Sequence, residues 1–221
     1  MISLILPYWD RQQAADKAFA TLEIYKGLDL EVIVVDDGNS VPFVMPETSL
    51  NARVVRLPLK DKPTPQSKAW NAGVAAAKGE FVVLSCVEIL HQKPVLEEML
   101  KELENRPEGY VLAAAWCPEF QEWQCHSTVQ IPRLPKGTGP AFCGMMRKST
   151  FDRIGGFDEV YHDGAGYEDK DFVMNAVSKG VEFVIRDDLV VIHPKSGASI
   201  AWPEAGFHRN EMIFISRWEK P

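Results

Sequence analysis

The chain has 221 residues, of which 46% are hydrophobic and 25% charged, and this composition predicts an ordered globular protein. Its formal net charge of -7 argues against non-specific binding to nucleic acid, which requires a basic surface. The apolar run at the amino end, ISLIL, is too short for a signal-peptide core or a membrane span, and the cysteines show no metal-finger spacing. We therefore expect a cytoplasmic protein with reduced thiols, which could still contact a membrane surface.

The first half of the chain predicts alternating strands and helices. ISLILP reads as a buried strand that ends at Pro7, and apolar residues at helical spacing predict a helix over 11–25. LEVIVVDDGNS and ARVVRLP read as the next two strands, followed by a helix over 67–78. EFVVLSCVEIL, PVLEEMLKELENR and GYVLAAAW then predict a strand, a helix and a further strand.

The second half is less regular. Prolines and aromatic residues over 117–140 predict a long ordered loop or an insertion. AFCGMMRKSTFDRIGGF predicts a strand, a helix and a turn; YEDKDFVMNAVSKG predicts an acid-rich helix, and VEFVIRDDLVVIHP predicts strands. With no internal repeat or linker in the sequence, we predict a single domain over 1–221.

Strands that alternate with helices predict an α/β fold with a Rossmann-like, doubly wound, mostly parallel sheet and helices on both faces. Ligands of such sheets bind beyond the carboxyl ends of the strands. The segments expected there, 8–11, 36–40 and 85–88, all contain polar side chains. A binding site at this edge is one interpretation, and ordinary strand-end turns are the other.

Several segments, in this order, resemble the family 2 glycosyltransferases of the GT-A fold. They are LILPYWDR, EVIVVDDGNS, KAWNAGVAAAKGEFVVLS, and IGGFDE followed by GYEDKDFVMNAVSKG, with VVIHPKSG and NEMIFISRW as later matches. The resemblance implies a single GT-A domain in which 1–115 forms the nucleotide-binding half and 116–221 the acceptor and catalytic half.

For the nucleotide, the resemblance assigns recognition of the uracil imide hydrogen to Asp37. Asp36 would then bind the ribose or support the loop, and a charged turn is the structural alternative for both. Pro7, Tyr8 and Asp10 would line the same pocket, where Tyr8 either stacks on the base or packs in the core.

Further polar residues are candidates for binding the remaining parts of the nucleotide-sugar donor. Lys68 could offset the charge of the diphosphate or be a solvated helix lysine. Asn71 is expected to fix a loop rather than touch substrate, and Ser85 could hydrogen-bond the ribose or a bound water. Lys195 and Ser196 could reach phosphate oxygens.

The expected metal motif departs from the family pattern. Relatives usually carry Asp-x-Asp here for Mg or Mn, whereas this chain reads Ser85, Cys86, Val87 and then Glu88. Three outcomes are open: Glu88 replaces the missing ligand, the metal is held weakly, or transfer needs no metal. His193, which follows the strand LVVI, is the candidate for another metal ligand, with a structural histidine as the alternative.

The stretch GAGYEDKDF carries the candidate catalytic acids. The resemblance gives Asp169 the role of general base and gives Glu168 contacts to sugar hydroxyls. The alternative is a set of acids that stabilise a helix amino end, and this alone explains Asp171. Gly164 and Gly166 are expected to let the loop bend toward the donor sugar.

The resemblance implies inverting transfer of a hexosyl or N-acetylhexosaminyl group from a nucleotide-sugar, with UDP favoured, to a hydroxyl of a saccharide, glycan or glycolipid. The net charge argues against a nucleic-acid acceptor. A degenerate, non-catalytic nucleotide-sugar-binding protein is the alternative. Aromatic residues over 116–140, with Trp202 and Phe207, are candidates for the acceptor side or for the core. The absence of GxGxxG after the first strand argues against a dinucleotide oxidoreductase.

Overall fold

The computed structural model describes residues 1–139, 142–195 and 204–219, which form one sheet with helices around it. The strands are β1 (Ile2–Tyr8), β2 (Leu30–Asp36), β3 (Asn51–Arg56), β4 (Phe81–Ser85), β5 (Gly109–Cys117), β6 (Glu122–Cys125), β7 (Cys143–Arg147) and β8 (Glu182–Ile192). The helices are α1 (Gln12–Leu22), α2 (Ser67–Ala76), α3 (Val95–Asn105), α4 (Lys148–Ile154), α5 (Glu168–Ser178) and α6 (Glu204–Trp218), with 3₁₀ turns at Glu23–Tyr25 and Glu159–Asp163.

The strands lie in the order β3-β2-β1-β4-β7-β5-β6, and β8 pairs with β5. Strands β1 to β4 are parallel to one another, as are β5 and β8, whereas β7 runs antiparallel to both of its neighbours. The predicted α/β class with a mostly parallel sheet is confirmed. The carboxyl ends of β1, β2 and β4 meet at one edge, because parallel strands end on the same side.

Helices cover both faces of the sheet. Gly73 of α2 lies so close to β1 that an added Cβ would be 2.3 Å from Ile5 Cγ2, so this helix needs a glycine at the contact. Tyr8 points to the opposite face, because side chains alternate along a strand. There its ring lies 4.8 Å from that of Phe43, which packs on Phe19 of α1.

The structure differs from the sequence expectations in three elements. β1 continues through Pro7 to Tyr8, and proline is tolerated because β4 pairs only with Ile2 to Ile5, so Pro7 has one strand neighbour. The loop over 117–140 contains the short strand β6. The last strands are one strand, β8, whose pairing shifts register between Ala113 and Ala114 of β5.

A second cluster joins α6 to the segment before α5. Tyr161, Tyr167 and Phe214 pack together apart from the main core. Buried Asp171 of α5 accepts hydrogen bonds from the Tyr161 hydroxyl at 2.9 Å and from Trp218 Nε1 at 2.8 Å. Asp171 therefore holds α6 against α5, beyond any effect on the helix dipole.

Pro140, Ser196 and Trp202, which figure in the sequence expectations, lie outside the described residues. Among the described helices, none has the length and apolar character needed to span a membrane.

Candidate active site

Two clefts open at the edge where β1, β2 and β4 end. The Asp37 cleft, of about 550 Å³, is lined by Asp37, Lys60, Lys68, Asn71 and His162, among others. The Arg11 cleft, of about 920 Å³, is lined by Trp9, Asp10, Arg11, Glu88 and Lys195, among others. The strand-end location predicted from the sequence therefore coincides with concave surface.

The paired aspartates at the end of β2 have different environments. Asp36 is fully buried, and it accepts hydrogen bonds from the Asn39 side chain at 3.0 Å and the Phe43 backbone N–H at 3.1 Å. These bonds hold the loop after β2, which is the supporting role considered for Asp36. Asp37 lines its cleft and forms an ion pair of 2.6 Å with Lys60.

Burial shapes the charges of the Asp37 cleft. Burial raises the pKa of Asp37, with the Lys60 ion pair acting in the opposite direction, and burial also lowers the pKa of Lys60. The pKa of His162 is lowered by burial and then by the charges of Lys68 and Lys60. His162 belongs to no motif used in the sequence analysis, and only the fold brings it to this cleft.

The two aromatic residues at the end of β1 have different surroundings. Pro7 and Tyr8 are buried, and Tyr8 packs in the core. Trp9 instead lines the Arg11 cleft, and Lys60 Nζ lies 5.0 Å from the centre of its ring. Asp10 is exposed, with a left-handed φ of 48°. Trp9 is thus the strand-end aromatic that connects the two clefts.

Of the other residues predicted to bind the nucleotide-sugar, some line a cleft and others lie in the core. Lys68 is exposed and lines the Asp37 cleft. Asn71 binds the backbone of Phe157 through both amide atoms at 2.9 Å, so it fixes that loop as expected. Ser85 is fully buried, and its hydroxyl lies 3.3 Å from the Cys86 carbonyl oxygen. The described structure therefore gives Ser85 a packing position outside the clefts.

Glu88 and His193, the two metal-ligand candidates, lie next to each other. Glu88 Oε1 is 3.6 Å from His193 Nε2. The same oxygen also bonds Nη1 of Arg11, while His193 Nδ1 contacts Gln124 Oε1. The fold therefore unites residues from the ends of β1, β4 and β8 in one polar cluster, which we call the Arg11–Glu88–His193 cluster.

This cluster does not fit a divalent metal. Val87 is buried, and its side chain has no atom that can bind a metal. The described residues also contain no group of three His, Cys, Asp or Glu side chains arranged to hold an ion. The Glu88 oxygen that faces His193 already bonds a guanidinium, whose charge would repel a cation placed there. The expectation that Glu88 and His193 bind a metal has no support from this geometry.

The acid pair opens α5. Asp169 is exposed to solvent, and it borders a small void of about 10 Å³ whose other lining residues, among them Trp70, Tyr110 and Phe172, are buried. The protein that surrounds it raises the pKa of Asp169. Burial, and then the charge of Asp169, raise the pKa of Glu168, whose Oε2 atom is buried without a hydrogen-bond partner among the described residues.

A sequence comparison identifies the family. Residues 3–157 match the model of glycosyl transferase family 2, which is more than half of the chain. The chain belongs to this family. A search of curated proteins found no match.

Solved structures share the GT-A fold with this family 2 chain. S. aureus TarS matches with 17% identity and a TM-score of 0.71 over 98% of this chain and 39% of its own. TarS 1-349 in complex with UDP-GlcNAc matches with 16% identity and a TM-score of 0.69 over 90% and 59%. The mannosyltransferase PcManGT from Pyrobaculum calidifontis, in complex with GDP-Man and Mn2+, matches with 18% identity and a TM-score of 0.62 over 89% and 58%. The chain thus spans between 39% and 59% of the length of these proteins.

The family match covers both clefts only in part. It includes Asp37, Glu88 and the loop after β1, but it ends before α5 and β8. Asp169 and His193 are therefore located by the fold of this family 2 chain and not by the matched segment.

Proposed function

We propose that this chain transfers a sugar from a nucleotide-sugar donor to an acceptor hydroxyl with inversion at the anomeric carbon. The observation that carries the proposal is the position of Asp169, an exposed carboxylate at the start of α5, beside Leu84 near the carboxyl end of β4. A base must reach an incoming hydroxyl and must be deprotonated at the working pH. A solvent-accessible aspartate meets the first condition.

In the proposed reaction, Asp169 accepts the proton of the acceptor hydroxyl as its oxygen forms a bond to the anomeric carbon. The bond between that carbon and the phosphate oxygen breaks, and the nucleoside diphosphate leaves from the opposite face of the sugar. Glu168 would hydrogen-bond sugar hydroxyls, because its raised pKa favours a protonated carboxyl that can donate and accept. A general base contributes roughly 10²–10⁴-fold to the rate.

UDP is the donor nucleotide that we propose. Uracil presents an imide N–H between two carbonyl oxygens, and the ion pair of Asp37 and Lys60 offers an acceptor beside a donor. Cytosine has no hydrogen on that ring nitrogen, so an acceptor would face the Asp37 carboxylate there. Trp9, next to Lys60, offers a ring on which a base can stack.

The transferred group would be a hexosyl or N-acetylhexosaminyl unit, and the acceptor a saccharide on a glycan or lipid carrier. The solved relatives carry different donors, UDP-GlcNAc in TarS 1-349 and GDP-Man in PcManGT. No metal takes part in the proposed steps, because the Glu88 oxygen near His193 already binds Arg11.

One observation favours a second function, a non-catalytic nucleotide-sugar-binding protein. Val87 stands where relatives usually carry an aspartate, and it is buried. Tight binding of UDP without any hydrolysis or transfer of UDP-sugars, with or without Mn, would favour this alternative.

The proposal is tested by release of UDP from a panel of UDP-sugars, with saccharide acceptors, by wild type and by Asp169→Asn. We expect the variant to lose transfer by at least about 10²-fold while its affinity for UDP changes little. Asp163→Asn, which changes an exposed acid of the same segment, is the matched control and should remain active. Substantial turnover by Asp169→Asn would reject the base assignment.

A further inference from the structure

The Arg11–Glu88–His193 cluster places a permanent positive charge where the family pattern would place a metal. Arg11 follows β1, and its guanidinium bonds Glu88 Oε1, the atom 3.6 Å from His193 Nε2. The Glu88 side chain is 9% exposed and the Arg11 side chain 26% exposed. The carboxylate is therefore largely desolvated, while the guanidinium retains access to the Arg11 cleft.

A guanidinium is chemically suited to a diphosphate. It stays charged at all relevant pH values, and its planar fork binds two phosphate oxygens at once. Its five N–H donors allow one group to bind a carboxylate and a phosphate together. The carboxylate of Glu88 would then orient the fork, since it is largely desolvated and bonds the guanidinium directly.

The cluster lies within electrostatic reach of the candidate base. Glu88 lies three positions after Ser85, the last residue of β4, and it bonds Arg11. Leu84 of β4 and Asp169 border the same small void, so the Arg11–Glu88 pair and Asp169 both lie near the carboxyl end of this strand. A diphosphate bound at Arg11 would thus lie near the sugar whose anomeric carbon is attacked by the hydroxyl that Asp169 deprotonates.

We propose that Arg11, oriented by Glu88, binds the donor diphosphate and stabilises it as it leaves, so that donor binding requires no divalent metal. This inference rests on the proposed function, because it assumes a nucleoside diphosphate donor. Glu88 is a positioning residue in this scheme, and His193 is a neighbour that Gln124 holds in place rather than a metal ligand.

The test is calorimetric titration of the full chain with UDP, with GDP and with uridine, first with EDTA and then with Mn or Mg. We expect wild type to bind UDP equally with and without metal. Arg11→Met should weaken the binding of UDP by at least about tenfold and the binding of uridine much less, because a charge-assisted contact to phosphate is lost. The UDP affinity of Arg11→Lys should lie between those of wild type and Arg11→Met, since lysine keeps the positive charge but lacks the planar guanidinium.

Two further variants separate this role from folding and from general charge. Arg11→Met leaves Glu88 without this partner, so the double variant Arg11→Met/Glu88→Gln removes both charges and should fold normally while still binding UDP weakly. Lys17→Ala removes an exposed cation that lines the same cleft, and it should leave UDP affinity within about threefold of wild type.

The outcomes are distinct. UDP binding that strengthens at least tenfold with Mn, or that is unchanged in a folded Arg11→Met or double variant, overturns the role of Arg11 and leaves the proposed function intact. Equal losses for UDP and uridine would likewise overturn it, because they indicate damage to the whole site. If wild type binds neither UDP nor GDP under any condition, the proposed function itself fails.

Discussion

Asn210 of α6 occupies the space beside Gly164, where an added Cβ would lie 2.1 Å from the asparagine Oδ1. The Asn210 amide donates to the carbonyl oxygens of Tyr161 and Gly166, each at 2.9 Å. Asn210 is fully buried, so α6 is fixed on the segment that leads into α5. Gly164 is thus required by the close approach of α6, whereas the sequence suggested a bend toward the donor.

Gly164→Ala should destabilise the protein by about 1–3 kcal/mol, because its methyl group would displace a buried side chain. Urea unfolding of the variant and of wild type measures the loss. Gly139→Ala is the control, since its added Cβ would meet Ile131 at the ordinary distance of 3.9 Å. Similar losses for the two variants would contradict the packing argument.

The pH dependence of transfer should report the environment of Asp169. A general base acts only when deprotonated, and the surrounding protein raises the pKa of Asp169. The rate should therefore rise with pH through a limb that lies above the usual aspartate value of about 4. Measurement of kcat at saturating donor over the acid range tests this, and a limb at the usual value would contradict it.

Glu168→Gln should stabilise the protein at neutral and alkaline pH. Burial and the charge of Asp169 raise the pKa of Glu168 in the folded state above its unfolded value, so the folded protein binds more protons than the unfolded one. Stability then falls as pH rises between the two values. Glutamine removes this cost, so the gain in Tm over wild type should grow with pH and vanish in acid. Glu159→Gln, at an exposed position outside α5, is the control. A gain independent of pH would contradict the assignment.

The sequence predicted the sheet well because its strands are continuous apolar runs. Leu30–Asp36 is buried at every position, and such a run between turn-forming residues indicates a central parallel strand. Asp37, at the end of this strand, could be placed at a cleft for the same reason. The predicted end of the first strand at Pro7 was wrong, because proline usually ends a strand. Only the strand pairing shows that Pro7 has a single strand neighbour, so that β1 can continue to Tyr8.

The roles of single side chains were harder to predict, since they depend on contacts distant in sequence. Arg11 and Glu88 are 77 positions apart, and no local pattern indicates their ion pair. Trp9 and Tyr8 are adjacent, and only the fold shows that Tyr8 packs in the core while Trp9 lines a cleft. His162 reaches the Asp37 cleft through a 3₁₀ turn that has no motif.

Asp37→Asn should reduce discrimination between UDP and CDP. In wild type the Asp37 carboxylate, paired with Lys60, can accept the uracil N–H, and cytosine has no such donor. An asparagine amide can donate as well as accept, so we expect weaker UDP binding, by roughly tenfold, with a smaller change for CDP. Calorimetric titration of both nucleotides measures the ratio, and Asp61→Asn, an exposed acid in the loop before α2, is the control. An unchanged ratio in Asp37→Asn would show that this carboxylate does not read the base.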